Sequence, residues 1–142
     1  MKTKMDANTL HSNLYQFTGS MEWLSLPLFR RVIVSEGARY LAENAGAWWL
    51  LEAIASHLTA NHKWKKACRT NERLASLSFW TITKTENDSC VLEAREDSDC
   101  KPVVTQKIEY TDFPFPPDGK FKLYVGNDGP GTYDKIFLPS EY

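Results

Sequence analysis

The sequence predicts an α+β domain spanning residues 1–142, with N-terminal helices packed on a C-terminal antiparallel meander sheet of four to five strands. Three observations carry that expectation. Apolar residues recur at helical spacing up to about residue 59, the period changes to two from Leu77, and short turn signals separate the later apolar runs. Strands joined by short turns pair antiparallel, because a parallel pair needs a long crossover.

The elements follow in chain order. Leu10, Leu14 and Phe17 stand at i, i+4 and i+7, the spacing of a short helix within residues 7–17. Phe17-Thr18-Gly19-Ser20 then reads as a break. Leu28 to Val34, LFRRVIV, is an apolar run with β-branched residues at its end and reads as a strand or extended segment. Ser35 followed by Glu36 is a helix start: a hydroxyl accepts an orphan amide and a carboxylate sits in the first turn.

The strongest element runs from about Glu36 to Thr59, interrupted at Asn44-Ala45-Gly46. Ala47, Leu50, Leu51, Ile54 and Leu58 make one continuous helix face, expected in the core. Trp48 and Trp49 widen it. Adjacent helical residues point about 100° apart, so one ring is expected in the core and the other at an edge, as a dimer contact or partner pocket.

From Leu77 the residues alternate. Leu77, Phe79, Thr81 and Thr83 oppose Ser78, Trp80, Ile82 and Lys84, which predicts a strand with apolar residues on both faces. Asn87-Asp88-Ser89 turns the chain and CVLEAR returns it. Asp97-Ser98-Asp99 turns it again before PVVTQKIEY, a third strand. Pro114, Pro116 and Pro117 forbid regular pairing. FKLYV is a fourth strand, NDGPG a hairpin loop and KIFLP a short last strand.

Composition bounds the function. The 142 residues include 17 basic and 18 acidic side chains, a net charge of −1, which excludes a wholly basic nucleic-acid protein. A 42% hydrophobic content is enough to build a core and excludes intrinsic disorder. The longest apolar stretch, Ala45 to Leu51, is far short of the ~20 residues of a membrane helix. The lysine pair Lys2 and Lys4 has no apolar segment behind it, so no secretory signal is expected and a cytoplasmic location follows. Cys68, Cys90 and Cys100 are then expected as unreactive thiols. Cys90 and Cys100 bracket an acidic stretch that could bring them near each other. No CxxC is present.

Charge is uneven along the chain. Residues 63–73 set Lys63, Lys65, Lys66, Arg69 and Arg73 against Glu72, a balance of +4. With Trp64 among them, they carry the stacking and phosphate neutralisation that a single-stranded nucleic acid needs. The plainer reading is a solvated helix-to-strand connection with Trp64 tucked against the sheet. Residues 86–99 set Glu86, Asp88, Glu93, Glu96, Asp97 and Asp99 against Arg95, a balance of −5. They read as a solvated hairpin tip or as a surface for a basic partner.

No catalytic constellation stands out. His57 and His62 are five apart, off the spacing of a metal-binding helix pair. His62, Cys68, Cys90 and Cys100 match no common zinc spacing. Glu22, Glu52 and Asp112 qualify for acid–base work only if the fold gathers them. No metal and no cofactor are expected.

Phe17-Thr18-Gly19-Ser20, the block GARYLAENAGAWWLLEAIASHL, Tyr110-Thr111-Asp112-Phe113-Pro114 and the closing Leu138-Pro139-Ser140-Glu141-Tyr142 carry a resemblance. Together they resemble a functionally uncharacterised family of small proteins from bacterial genomes, plasmids and phages. The resemblance covers nearly the whole chain, less clearly between Asn61 and Cys100. It implies a compact α+β domain carried by mobile elements and transfers no catalytic residue.

The leading expectation is a non-enzymatic binding protein that contacts a protein partner, with inhibition of a host or anti-phage defence complex as its mode. Its contact residues would be acidic (Glu93, Glu96, Asp97, Asp99) and aromatic (Trp48, Trp49). The alternative is a nucleic-acid-binding accessory protein using Lys63, Trp64, Lys65, Lys66 and Arg69. A homodimer is a further arrangement, membrane association is not expected, and an uncharacterised enzyme comes third.

Overall fold

A computed structural model describes residues 5–19 and 22–142. The lysine pair Lys2 and Lys4 and the break residue Ser20 lie outside the described residues. The first helix, α1 (Ala7–Leu14), starts at Asp6, whose carboxylate accepts from the Thr9 amide, and it buries Leu10 and Leu14. Strands β1 (Trp23–Leu26) and β2 (Phe29–Ser35) form an antiparallel hairpin. Ser35 then caps α2 (Glu36–Ala45) through the Ala38 amide, as its position before Glu36 predicts. Gly46 closes α2 in the left-handed conformation (φ 62°), which glycine adopts without steric cost. Helix α3 (Trp48–Ala60) follows at once and buries the predicted face of Leu50, Leu51, Ile54 and Leu58, with Ala47 buried just before it.

The basic stretch is not a connection but two short helices, α4 (His62–Thr70) and α5 (Glu72–Ser76). Asparagine decides both. Asn61 Oδ1 accepts from the amides of Lys63 and Trp64, and Asn71 Oδ1 from those of Arg73 and Leu74. Strands β3 (Leu77–Lys84), β4 (Cys90–Arg95), β5 (Val104–Ile108), β6 (Lys120–Gly126) and β7 (Asp134–Phe137) complete the order, and a 3-10 turn at Pro139–Glu141 follows.

The sheet differs from the expected meander of four to five strands. Its seven strands run β1-β2-β7-β6-β3-β4-β5. Most neighbours are antiparallel, but β2 and β7 pair in parallel, Val34 beside Ile136. β3 pairs with both β4 and β6, so the long segment after β5 carries the chain back across the sheet. β1 escapes a periodicity search because it is four residues long and exposes all but Leu26.

The helices cover one face of this sheet. Val32, Val34, Trp80, Ile82, Leu92, Ala94, Leu123, Val125 and Ile136 point toward them, and all are buried. Buried polar groups on that side are paired. The indole of Trp80 donates to Ser78 Oγ at 2.9 Å, and His57 of α3 bridges Gln106 of β5 at 2.7 Å and Asn61 at 2.9 Å. No described helix is long and apolar enough to cross a membrane.

Candidate functional site: the outer face of the sheet

Alternation along each strand sends every second residue to the face opposite the helices. Ladder partners share a face, so the register places Phe79 beside Tyr124 and Tyr124 beside Phe137. One further step along the β2–β7 ladder puts Ser35 next to Phe137, and Trp23 is the partner of Ser35. One row thus crosses five strands. Small Ser35 leaves a dip, over which Trp23 and Phe137 meet edge-on with ring centroids 6.4 Å apart. Phe137 meets Tyr124 at 5.8 Å, and Tyr124 stacks on Phe79 at 4.8 Å and 21°. Tyr142, 78% exposed, lies against Tyr124 and Phe137 at 5.6 and 6.2 Å.

Cations surround the row. Arg31, Arg95, Lys107, Lys120, Lys122 and Lys135 project from the same face by register, against the one carboxylate of Glu93. Glu93 is spent on Arg95 at 3.2 Å. Lys122 Nζ stands 5.3 Å over the Phe79 ring, and Lys135 Nζ stands 5.6 Å over Trp23 while also pairing with Asp128 at 2.8 Å on the β6–β7 loop. Among the described residues, no outer-face side chain of β3–β7 is fully buried.

The acidic residues of the sequence reading are not brought together. β4 is one strand between two turns, about 17 Å long at ~3.3 Å per residue. Glu86 and Asp88 lie in the turn before it, and Glu96, Asp97 and Asp99 in the turn after it. Glu93 sits mid-strand on the outer face. Glu96 accepts from Asn71 at 3.1 Å and faces Arg73 at 3.5 Å, which leaves Asp97 and Asp99 as the exposed acids of that turn. Cys90 and Cys100 likewise stand at opposite ends of β4, not near each other.

The basic residues Lys63, Lys65, Lys66 and Arg69 are exposed on α4, but Trp64 is not available with them. It is 5% exposed and packs on Trp80 at 5.2 Å, tucked against the sheet. The α4 surface therefore offers charge without a stacking ring. Trp48 and Trp49 depart from the one-in, one-out expectation, because both are half-buried against the core. The face of α3 that reaches the sheet begins at Leu50, and the two indoles flank it in the first turn. Trp48 lines an apolar groove of about 400 Å³ with Leu24, Leu28 and Phe29 of the β1–β2 hairpin.

A second concavity, about 620 Å³, lies between α4–α5 and the β6–β7 loop, with Cys68, Arg69, Ser78 and Asp134 on its walls. Burial pushes the Cys68 thiol up to about 11, helped by the Asp134 carboxylate, so it stays protonated and a poor nucleophile at neutral pH. Burial also raises Asp134, against the Asn127 hydrogen bond and Arg31. Glycine-rich loop 126–131 is a hairpin connection, held by Asn127 Oδ1 accepting from the Gly129 amide at 2.8 Å and the Thr132 hydroxyl at 3.0 Å. Glu52 lines the hairpin groove and Asp112 a separate small cavity at the β3–β4 turn, so the fold does not gather them. Among the described residues, no three His, Cys, Asp or Glu side chains gather as a metal-binding group.

The ring row could not be found from one sequence, because neighbours in it lie on strands joined only by the tertiary order. Its local signal is slight: one aromatic on the outer set of each of two strands, Phe79 in β3 and Tyr124 in β6. Comparison with curated proteins and with solved structures gives no match. Residues 8–142, by contrast, match the family model described as a family of unknown function (DUF6876), which covers every element described above except the first residue of α1, and the chain belongs to that family.

Proposed function

We propose that this protein acts by binding, and that its contact surface is the outer face of the sheet. One observation supports this reading: a continuous row of rings, Trp23 to Phe79, left in contact with solvent and ringed by six cations. An open apolar row of this kind costs solubility unless something uses it, and exposed aromatic clusters mark interaction sites. The acidic turn offers a weaker surface, since Glu93 and Glu96 are already paired.

Affinity capture from the native host tests the reading with three variants beside wild type. The first joins Lys122→Gln and Lys135→Gln on the sheet. The second reverses charge at Glu96, Asp97 and Asp99, and the third at Lys63, Lys65 and Lys66. The sheet variant is expected to lose what wild type captures, while the other two keep it. Loss in the acidic or the α4 variant alone would move the contact surface away from the sheet.

A further inference from the structure

The outer face carries two chemistries at once, and their combination narrows the ligand. Rings alone would suit any apolar partner, including a second copy of the chain. Charge argues against that copy: Arg31, Arg95, Lys107, Lys120, Lys122 and Lys135 would meet their own images across a face-to-face dimer, where like charges repel. Of the six cations, Arg95 is paired with Glu93 and Lys135 with Asp128, and the four in excess call for a polyanion.

Ring geometry then separates the polyanions. The row crosses β1, β2, β7, β6 and β3, four interstrand steps or about 19 Å at ~4.8 Å each. Lys122 and Lys135 stand beside rings rather than apart from them, at 5.3 Å from Phe79 and 5.6 Å from Trp23. A polyphosphate would use the cations and leave the rings idle. Phe79, Tyr124 and Phe137, half-buried and packed on one another in the sheet, do not project to insert into a membrane interface. A duplex hides its base faces within its own stack. Unpaired nucleotides use both, with bases laid on rings and phosphates on the flanking lysines.

Resting on the binding reading above, we infer that the ligand of this face is a single-stranded nucleic acid. Two or three bases stack along the row between Trp23 and Phe79, the number that an aromatic sheet face of this width takes. Lys122 and Lys135 meet phosphates beside those bases. Tyr142 is the most exposed ring of the face; it lies on Phe137 and edge-on to Tyr124 and offers its outer side as a further stacking surface. The basic helix α4, on the opposite layer of the protein, takes no part.

Fluorescence polarisation with a labelled mixed-sequence 20-mer tests this, as single-stranded DNA, single-stranded RNA and the matching duplex, between 50 and 200 mM salt. Wild type is expected to bind at least one single strand about tenfold or more tighter than the duplex. Lys122→Gln with Lys135→Gln should weaken that binding and lower the slope of log K against log salt by about 1.4, at ~0.7 per lost phosphate contact. Trp23→Ala should weaken it about tenfold with the slope unchanged, since stacking is not ionic. Tyr142→Ala, a change at a ring that is 78% exposed, should weaken it in the same way. Charge reversal at Lys63, Lys65 and Lys66 should leave it unchanged. Equal affinity for duplex, or loss of binding only in the α4 variant, would overturn the inference. Absence of binding at 50 mM salt would also overturn it. If the sheet variant nonetheless abolishes capture from the host, the surface stands and only the ligand class is wrong; if it does not, both fall.

Discussion

The hydroxyl of Ser35 donates a 2.6 Å hydrogen bond to Oε1 of Glu141, 106 residues further along the chain. The same carboxylate oxygen accepts from the Leu138 amide at 2.9 Å, and Oε2 accepts from the Gly37 amide at 3.1 Å. Ser35 Oγ accepts from Ala38 in turn at 3.0 Å. A carboxylate thus sits on the orphan amides that open α2, where the helix dipole favours negative charge. This pins the C-terminal turn beneath Trp23 and Phe137 and so positions Tyr142 on the outer face.

Removing that clamp should be costly. Glu141→Gln replaces one acceptor by a donor facing donors, and is expected to lose about 1–3 kcal/mol. Gly37→Ala attacks the same contact sterically, because the added Cβ would lie 2.5 Å from Leu138 Cδ1 and 2.6 Å from Glu141 Oε1. Urea denaturation of both variants measures the loss, and unchanged midpoints would remove the clamp from the account of stability.

The core beneath the sheet makes a second prediction. Leu51 is fully buried at the centre of the α3 face. Leu51→Ala should cost about 2–5 kcal/mol, transfer and cavity terms combined. Thermal unfolding followed by circular dichroism checks it, and a loss below 1 kcal/mol would mean that the site collapses to fill the hole.

Cys68 and Cys90 should be quiet until the protein unfolds. Cys90 is fully buried and Cys68 has its thiol pushed to about 11, so little thiolate exists near pH 8. Reaction of native protein with a disulfide reagent at pH 8 is expected to be slow at both, and prompt at all three cysteines in guanidinium. A fast native burst that maps to Cys68 would contradict the burial seen in the cleft.

Asp134 makes stability depend on pH with a definite sign. Burial raises its pKa above the ordinary 3.8, so the folded protein holds a proton that the unfolded chain has already released. Stability therefore falls as pH rises from about the ordinary value, and the loss is complete above the raised folded value. Asp134→Asn keeps the acceptor for Asn127 and removes the charge. Its stability should match wild type near pH 4 and exceed it increasingly toward pH 7, as read from urea midpoints across that range. The reverse trend would mean that Arg31 and Asn127 outweigh burial.

The sequence by itself determined what depends on near neighbours. Ser35 before Glu36 set the start of α2, and the spacing of Leu50, Leu51, Ile54 and Leu58 the buried face of α3, whereas the fold decided that Gly46 ends α2. Alternation from Leu77 located β3, and the turn residues located the strands after it. These features need only backbone geometry and the burial of one stripe, which act over a few residues. What the sequence left open was which strand lies beside which. The parallel pairing of β2 with β7 joins residues about a hundred positions apart, and β6 inserts between β7 and β3 after β4 and β5 have formed their own ladder. That order, and not any local pattern, lines up Trp23, Phe137, Tyr124 and Phe79 while sending Glu86 and Glu96 to opposite ends of β4. Periodicity tells a residue which side of its strand to take. Only the packed sheet decides whose side chains share that side, because strand order is settled by closing long loops against the gain from one common core.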